Sequence, residues 1–111
     1  MGKCKKEHLL GKLDLLVLRI LSGGDTLHGY AIAERIERLS ENVFQVGEGT
    51  LYPALHRMDE AGWIHSQWAP SDNNRRARYY RITAKGRRQL EEEREGWAKA
   101  AAAMDRVMRL A

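Results

Sequence analysis

Leu13, Leu16, Val17, Ile20 and Leu21 recur at intervals of three and four, the spacing that lays apolar side chains along one stripe of a helix. They predict an amphipathic helix over roughly Gly11 to Leu21, halted by Ser22-Gly23-Gly24-Asp25. A second helix is predicted from about His28 to Leu39, capped by Asp25 or Thr26, with Tyr30, Ile32, Ala33 and Ile36 turned inward. After a polar connector from Ser40 to Val46, Leu51, Ala54, Leu55 and Met58 restore the helical period up to about Ala61, and Gly62 is a suitable terminating glycine. This third helix has an awkward start, because Gly47, Gly49 and Pro53 all fall in its opening turns. Glycine and interior proline both cost helix stability. The conflict eases if Pro53 lies in the first turn, where backbone N–H groups have no intrahelical partner, and if the small residues before it admit a close-approaching surface. Helix N-termini attract anions, phosphate foremost.

Past Gly62 the period shortens. Trp63 to Trp68 and Arg78 to Thr83 read as strands, and the turn-forming stretch Ala69 to Ala77 joins them into a hairpin with an exposed tip. Tyr79 and Tyr80 must point to opposite faces of that ribbon, so one belongs to the core and at most one is free. Thr83 can cap a last helix running to about Leu110. Written as heptads, it carries Leu90, Trp97 and Met104 at one seam position and Glu93, Ala100 and Val107 at the other, with Met108 alongside. So long an apolar seam exceeds what its own small core can cover, and a second chain is the natural cover.

Charge placement sharpens the picture more than the net charge of +4 does. Between Asp72 and Arg88 lie Arg75, Arg76, Arg78, Arg81, Lys85, Arg87 and Arg88 against the single acid Asp72, and Glu91-Glu92-Glu93 follow. One face therefore suits a polyanion and the next does not. The single cysteine, Cys4, excludes an internal disulfide and fits a reducing compartment. No run reaches the roughly 20 apolar residues of a membrane span, and the amino terminus has no signal-peptide core. A cytoplasmic chain, without membrane contact, is the expectation.

Three short helices, a basic ribbon and a long helix give a mainly α fold with a small β-hairpin, the order of a winged helix-turn-helix with a long C-terminal dimerisation helix. Residues 1–83 would form the DNA-binding region and 84–111 the dimerisation helix, within a single compact domain. In such folds the third helix enters the major groove and the wing lies along an adjacent backbone. Gly47 and Gly49 would permit close approach, Thr50 and Tyr52 would donate hydroxyl hydrogen bonds, and Pro53 would fix the first turn. His56 and Arg57, one turn further, would reach base or phosphate. At the wing, Asn73, Asn74, Arg75, Arg76 and Arg78 are the candidates for phosphate or minor-groove contact, with Tyr79 beside them. His28 and Tyr30, in the first turn of the second helix, are candidates too. Leu90, Trp97, Ala100, Met104, Val107 and Met108 are the candidate dimer interface, and Trp97 is also a candidate platform for a flat aromatic ligand.

The stretches Leu13-Asp14-Leu15-Leu16-Val17-Leu18, His28-Gly29-Tyr30, Gly49-Thr50-Leu51-Tyr52-Pro53-Ala54-Leu55 and Asn74-Arg75-Arg76-Ala77-Arg78-Tyr79-Tyr80-Arg81-Ile82-Thr83, with Gly86 after them, stand in a fixed order and spacing. In these the chain resembles the PadR family of transcriptional regulators, in its short single-domain form, from roughly Gly11 to Trp97. The resemblance implies a homodimeric DNA-binding repressor on a pseudo-palindromic operator, its final helix packed against the partner protomer. In some relatives it implies release by phenolic or other aromatic molecules or by drugs. The stretch Ser22 to Thr26 departs from relatives that have a tighter turn with proline.

Other chemistries find less support. Cys4 and His8 share a helical face, but two candidate ligands are too few for a metal site. His8, His28, His56 and His65 are scattered without a partner acid or nucleophile, and no glycine-rich nucleotide loop is present, so neither an enzyme nor a cofactor is expected. The competing reading is a winged-helix module for protein–protein assembly, its basic wing meeting an acidic partner without sequence-specific DNA binding.

Overall fold

A computed structural model describes residues 12–71 and 75–110. Its elements in chain order are α1 (Leu13–Leu21), β1 (Leu27–His28), α2 (Gly29–Leu39), α3 (Glu48–Glu60), β2 (Ile64–Pro70), β3 (Arg76–Ile82) and α4 (Ala84–Met108). Cys4, His8, Asn73 and Asn74 lie outside the described residues.

One core holds the elements together. Leu13, Val17, Leu18 and Leu21 of α1 meet Ile32 and Ile36 of α2, Leu51, Leu55 and Met58 of α3, and Ile64, Tyr80 and Ile82 of the sheet, all essentially removed from water. The predicted stripe of α3 is the buried one, whereas on α1 Leu13, Val17 and Leu21 are buried as predicted, Leu18 joins them, and Leu16 and Ile20 are only half-buried at the edge of the stripe. On α2 the stripe is Gly29, Ile32 and Ile36. Tyr30 is not part of it: a helix turns about 100° per residue, which carries Tyr30 away from Gly29 and out to 75% exposure. The cap of α2 also differs from expectation. His28 itself caps it, its Nδ1 accepting from the Ala31 N–H at 3.1 Å, while Asp25 pairs with Arg35.

The sheet has three strands rather than two, in the order β1-β3-β2. Leu27 and His28 pair antiparallel with Tyr80 and Tyr79, a segment too short to show a period in sequence. The wing strands are longer than predicted, pairing from Ile64↔Ile82 to Pro70↔Arg76. Alternation puts Ile64, Tyr80 and Ile82 on the core side, and Tyr80 is buried while Tyr79 is half-exposed.

Two junctions fix the wing to its neighbours. Gly62, at φ +82°, ends α3: its N–H donates to the Asp59 carbonyl and the Trp63 N–H to that of Met58, both at 3.0 Å, the paired bonds of a left-handed helix terminus. Thr83 caps α4 as predicted, its Oγ1 accepting from the Gly86 N–H at 3.0 Å. Here α4 presses so close to the wing that a Cβ on Gly86 would stand 2.0 Å from the Trp63 carbonyl oxygen. Gly86 and Leu90 are the buried residues of α4, and its distal half runs out from the core, giving the molecule extents of 58 × 32 × 21 Å. Among the described residues no helix is long and apolar enough to cross a membrane.

Candidate nucleic-acid interface

The exposed stripe of α3 carries Gly49, Tyr52, Pro53, His56 and Glu60. The expected position of Pro53 needs correction. Gly47 is the N-cap and α3 begins at Glu48, with the Leu51 N–H already bonded to the Gly47 carbonyl at 2.9 Å. Pro53 is therefore inside the helix and does not fix its first turn. Lacking an N–H, it leaves the Gly49 carbonyl without the donor a regular helix supplies. Apart from chain neighbours and the helix's own backbone, no atom of the described residues lies within 4 Å of where a Cβ on Gly47 or Gly49 would be, so neither glycine is required by packing. Thr50 is half-buried at the edge of the stripe.

Between this stripe and the wing lies a cleft of about 540 Å³, whose walls include His28, Tyr30, Tyr52, Trp68, Arg76 and Tyr79. Five of these six are ring side chains, set beside a guanidinium. His28 is edge-on to Tyr79 at 5.6 Å between centroids and tilted to Tyr30 at 6.3 Å. Tyr52 leans over the start of α2, where Gly29 makes room for it: a Cβ there would fall 2.8 Å from its ring and hydroxyl. The His28-Gly29-Tyr30 run thus supplies a cap, a seat and an exposed ring in three consecutive residues. A second hollow of about 240 Å³ continues past Tyr52 to His56, Asp59, Trp68 and Arg78.

The cations have different fates. Arg57 is held by Asp14 of α1. Arg78 donates from Nε to Ser66 Oγ at 3.0 Å and from Nη2 to Asp59 Oδ2 at 3.3 Å. His56 faces Glu60 at 3.2 Å, a contact that is ionic only when the imidazole is protonated. Arg75 and Arg76, both exposed, have no ion-pair partner among the described residues. The expected contact set therefore divides: Tyr52, His28, Tyr30, Tyr79 and Arg76 line the cleft and His56 the hollow beside it, while Arg57 is paired within the chain and Arg78, which lines both hollows, is hydrogen-bonded within the chain as well. Sequence reasoning overlooked Asp59, Ser66 and Trp68. Trp68 is the direct cross-strand partner of Arg78 and becomes visible only once the wing register is known.

On α4, Leu90 is 4% exposed and belongs to the chain's own core, which corrects its expected place in a dimer seam. Beyond it Trp97, Met104, Val107 and Met108 are exposed by 46 to 76%. Lys12, the N-cap of α1, sits 4.6 Å from the Trp97 ring centre, and these two with Leu15, Glu93, Gly96 and Ala100 line a hollow of about 320 Å³. Burial pushes the Glu93 carboxyl above its usual range, reinforced by the charge of Asp14 and opposed by Gln89 and Arg57. Its Oε2 has no hydrogen-bond partner among the described residues.

Known proteins share this architecture. A solved transcriptional regulator from Clostridium thermocellum superposes with a TM-score of 0.80 at 26% identity, over 90% of this chain and 96% of its own. A PadR-like transcriptional regulator from Bacillus cereus does so with a TM-score of 0.79 at 28% identity, over 95% and 99%. In sequence, the transcriptional regulator Rv3488 of Mycobacterium tuberculosis is 41% identical over 58 residues, 52% of this chain and 53% of that protein. Residues 17–92, which span most of the core, α3 and the wing, match the model of the transcriptional regulator PadR-like family. The chain belongs to the PadR-like family and is a DNA-binding transcriptional regulator rather than an enzyme.

Proposed function

We propose that the chain is a homodimeric repressor that reads a pseudo-palindromic operator, with α3 in the major groove and the β2–β3 wing along the adjacent backbone. One observation carries this reading: Tyr52 of the exposed stripe of α3 and Arg76 of the wing, which has no ion-pair partner among the described residues, open onto the same aromatic-lined recess. Gly49, Thr50, Tyr52, Pro53 and His56 meet the groove, His28, Tyr30 and Tyr79 flank it, and Arg75 and Arg76, with Asn73 and Asn74, meet phosphates. The exposed face of α4 at Trp97, Ala100, Met104, Val107 and Met108 is the pairing surface, since so many large apolar side chains in a row need cover. An aromatic effector would bind beside Trp97, where the hollow against Lys12 and Leu15 offers a ring face.

Binding to the DNA upstream of the protein's own gene, against scrambled DNA across a salt series, tests the proposal. Tight, sequence-dependent binding with dimer stoichiometry is expected, the logarithm of affinity falling by about 0.9 per neutralised phosphate for each unit of log salt. Replacing Arg75 and Arg76 by alanine should flatten that slope on both DNAs. An unchanged slope would remove the wing from the interface.

A further inference from the structure

Arg78 differs from its neighbours at the wing. Its guanidinium closes a triangle: Nε donates to Ser66 Oγ, Nη2 donates to Asp59 Oδ2, and the Ser66 hydroxyl donates to the same Asp59 oxygen. The three residues come from β3, β2 and the last turn of α3. The main chain at Asp59 is held as well, its carbonyl accepting the Gly62 N–H that terminates α3. On its other side the guanidinium lies 5.9 Å from the Trp68 ring centre. Half-exposed ion pairs contribute little to stability. What this triangle fixes is an angle, since it spans from the end of the recognition helix to the middle of both wing strands.

We propose that Arg78, Ser66 and Asp59 form a strut setting the angle between the recognition helix and the wing, with Arg78 acting as a positioning residue and not as a phosphate contact. This rests on the DNA-binding reading above. The rigid, planar fork of arginine suits the task, because two N–H groups must point at two oxygens at once. A lysine offers a single compact charge and cannot hold both. At a phosphate, by contrast, a lysine charge would serve.

The test compares Arg78→Lys, Arg78→Gln and Asp59→Asn with the wild type on the upstream fragment and on random duplex, across a salt series. Each should lower affinity for the upstream fragment roughly tenfold, leave that for random DNA no weaker, and keep the wild-type salt slope. The double change Arg78→Gln, Asp59→Asn should cost no more than either alone. The strut is overturned if Arg78→Lys binds like the wild type while Arg78→Gln flattens the slope, which is the behaviour of a phosphate contact. A second measurement needs no DNA: spin labels at Glu48→Cys and Gln67→Cys, in a Cys4→Ser background. Their distance distribution should broaden on Asp59→Asn, and an unchanged width would also overturn the strut. If the wild type shows no sequence preference on any DNA, the repressor reading fails, and the label distances alone decide the strut.

Discussion

At the scale of single residues, the exposed stripe of α3 is built against its own helix. Gly49 has open space where a side chain would go, and Pro53 stands inside the helix. Neither helps the fold, which points to an outside surface as the reason for both. Gly49→Ala should raise stability by about 0.5–1 kcal/mol. Pro53→Ala, which restores a donor for the Gly49 carbonyl, should raise it by up to about 3 kcal/mol. Both should weaken operator binding more than binding to random DNA. Urea unfolding midpoints read the first effect, provided the slope of the transition is unchanged. If neither change stabilises, the fold itself requires these residues. The tension between helix period and helix-breaking residues was legible in the sequence. Its resolution was not, because placing Pro53 depends on Gly47 being the cap, and no side-chain bond marks that cap.

At the scale of elements, α4 is two devices in one helix. Its first turns are locked to the wing through Thr83, Gly86 and Leu90, while from Trp97 onward its apolar side chains face outward. The heptad pattern showed a continuous seam and could not show that Leu90 is already used by the core. Nor could it foresee the setting of Glu93, which depends on Asp14 and Arg57 arriving from α1 and α3. The raised pKa of Glu93 means that the folded chain holds its proton to higher pH than the unfolded chain does. This contribution to stability is complete below the ordinary glutamate range and is lost as pH rises through the raised value. At neutral pH the ionised, partly buried carboxylate is therefore a net cost. Glu93→Gln should melt at a higher temperature than wild type near pH 7.5, with the advantage shrinking as the solution is acidified. An advantage independent of pH would mean that the side chain acts through packing alone. Helices α1 and α3 and both wing strands were readable because their periods are long. The two-residue β1 was not, since Leu27 and His28 acquire a strand conformation only by pairing with Tyr80 and Tyr79.

At the scale of the whole molecule, the proposed dimer rests on Met104, Val107 and Met108, which are among the most exposed large apolar side chains of the chain. Met104→Glu combined with Val107→Glu should shift the protein to monomer in sedimentation while leaving the helical signal in place. Operator binding should then fall far more than binding to random DNA, because two half-sites are no longer read together. A variant that stays dimeric would place the pairing surface elsewhere. The way α4 leaves the domain has a mechanical consequence as well. Its 25 residues make a rod of about 37 Å, clamped at one end by Gly86 and Leu90. A clamped rod is a lever: a turn of about 10° at Leu90 displaces Met108 by roughly 5 Å. In the proposed dimer, with the far ends of two such levers joined, the same small turn would instead swing the two copies of α3 relative to each other. On the proposed operator their separation would have to match the helical repeat of DNA, about 34 Å between half-sites. Trp97 and Lys12 sit close to the fulcrum, where the least movement has the greatest effect on fit.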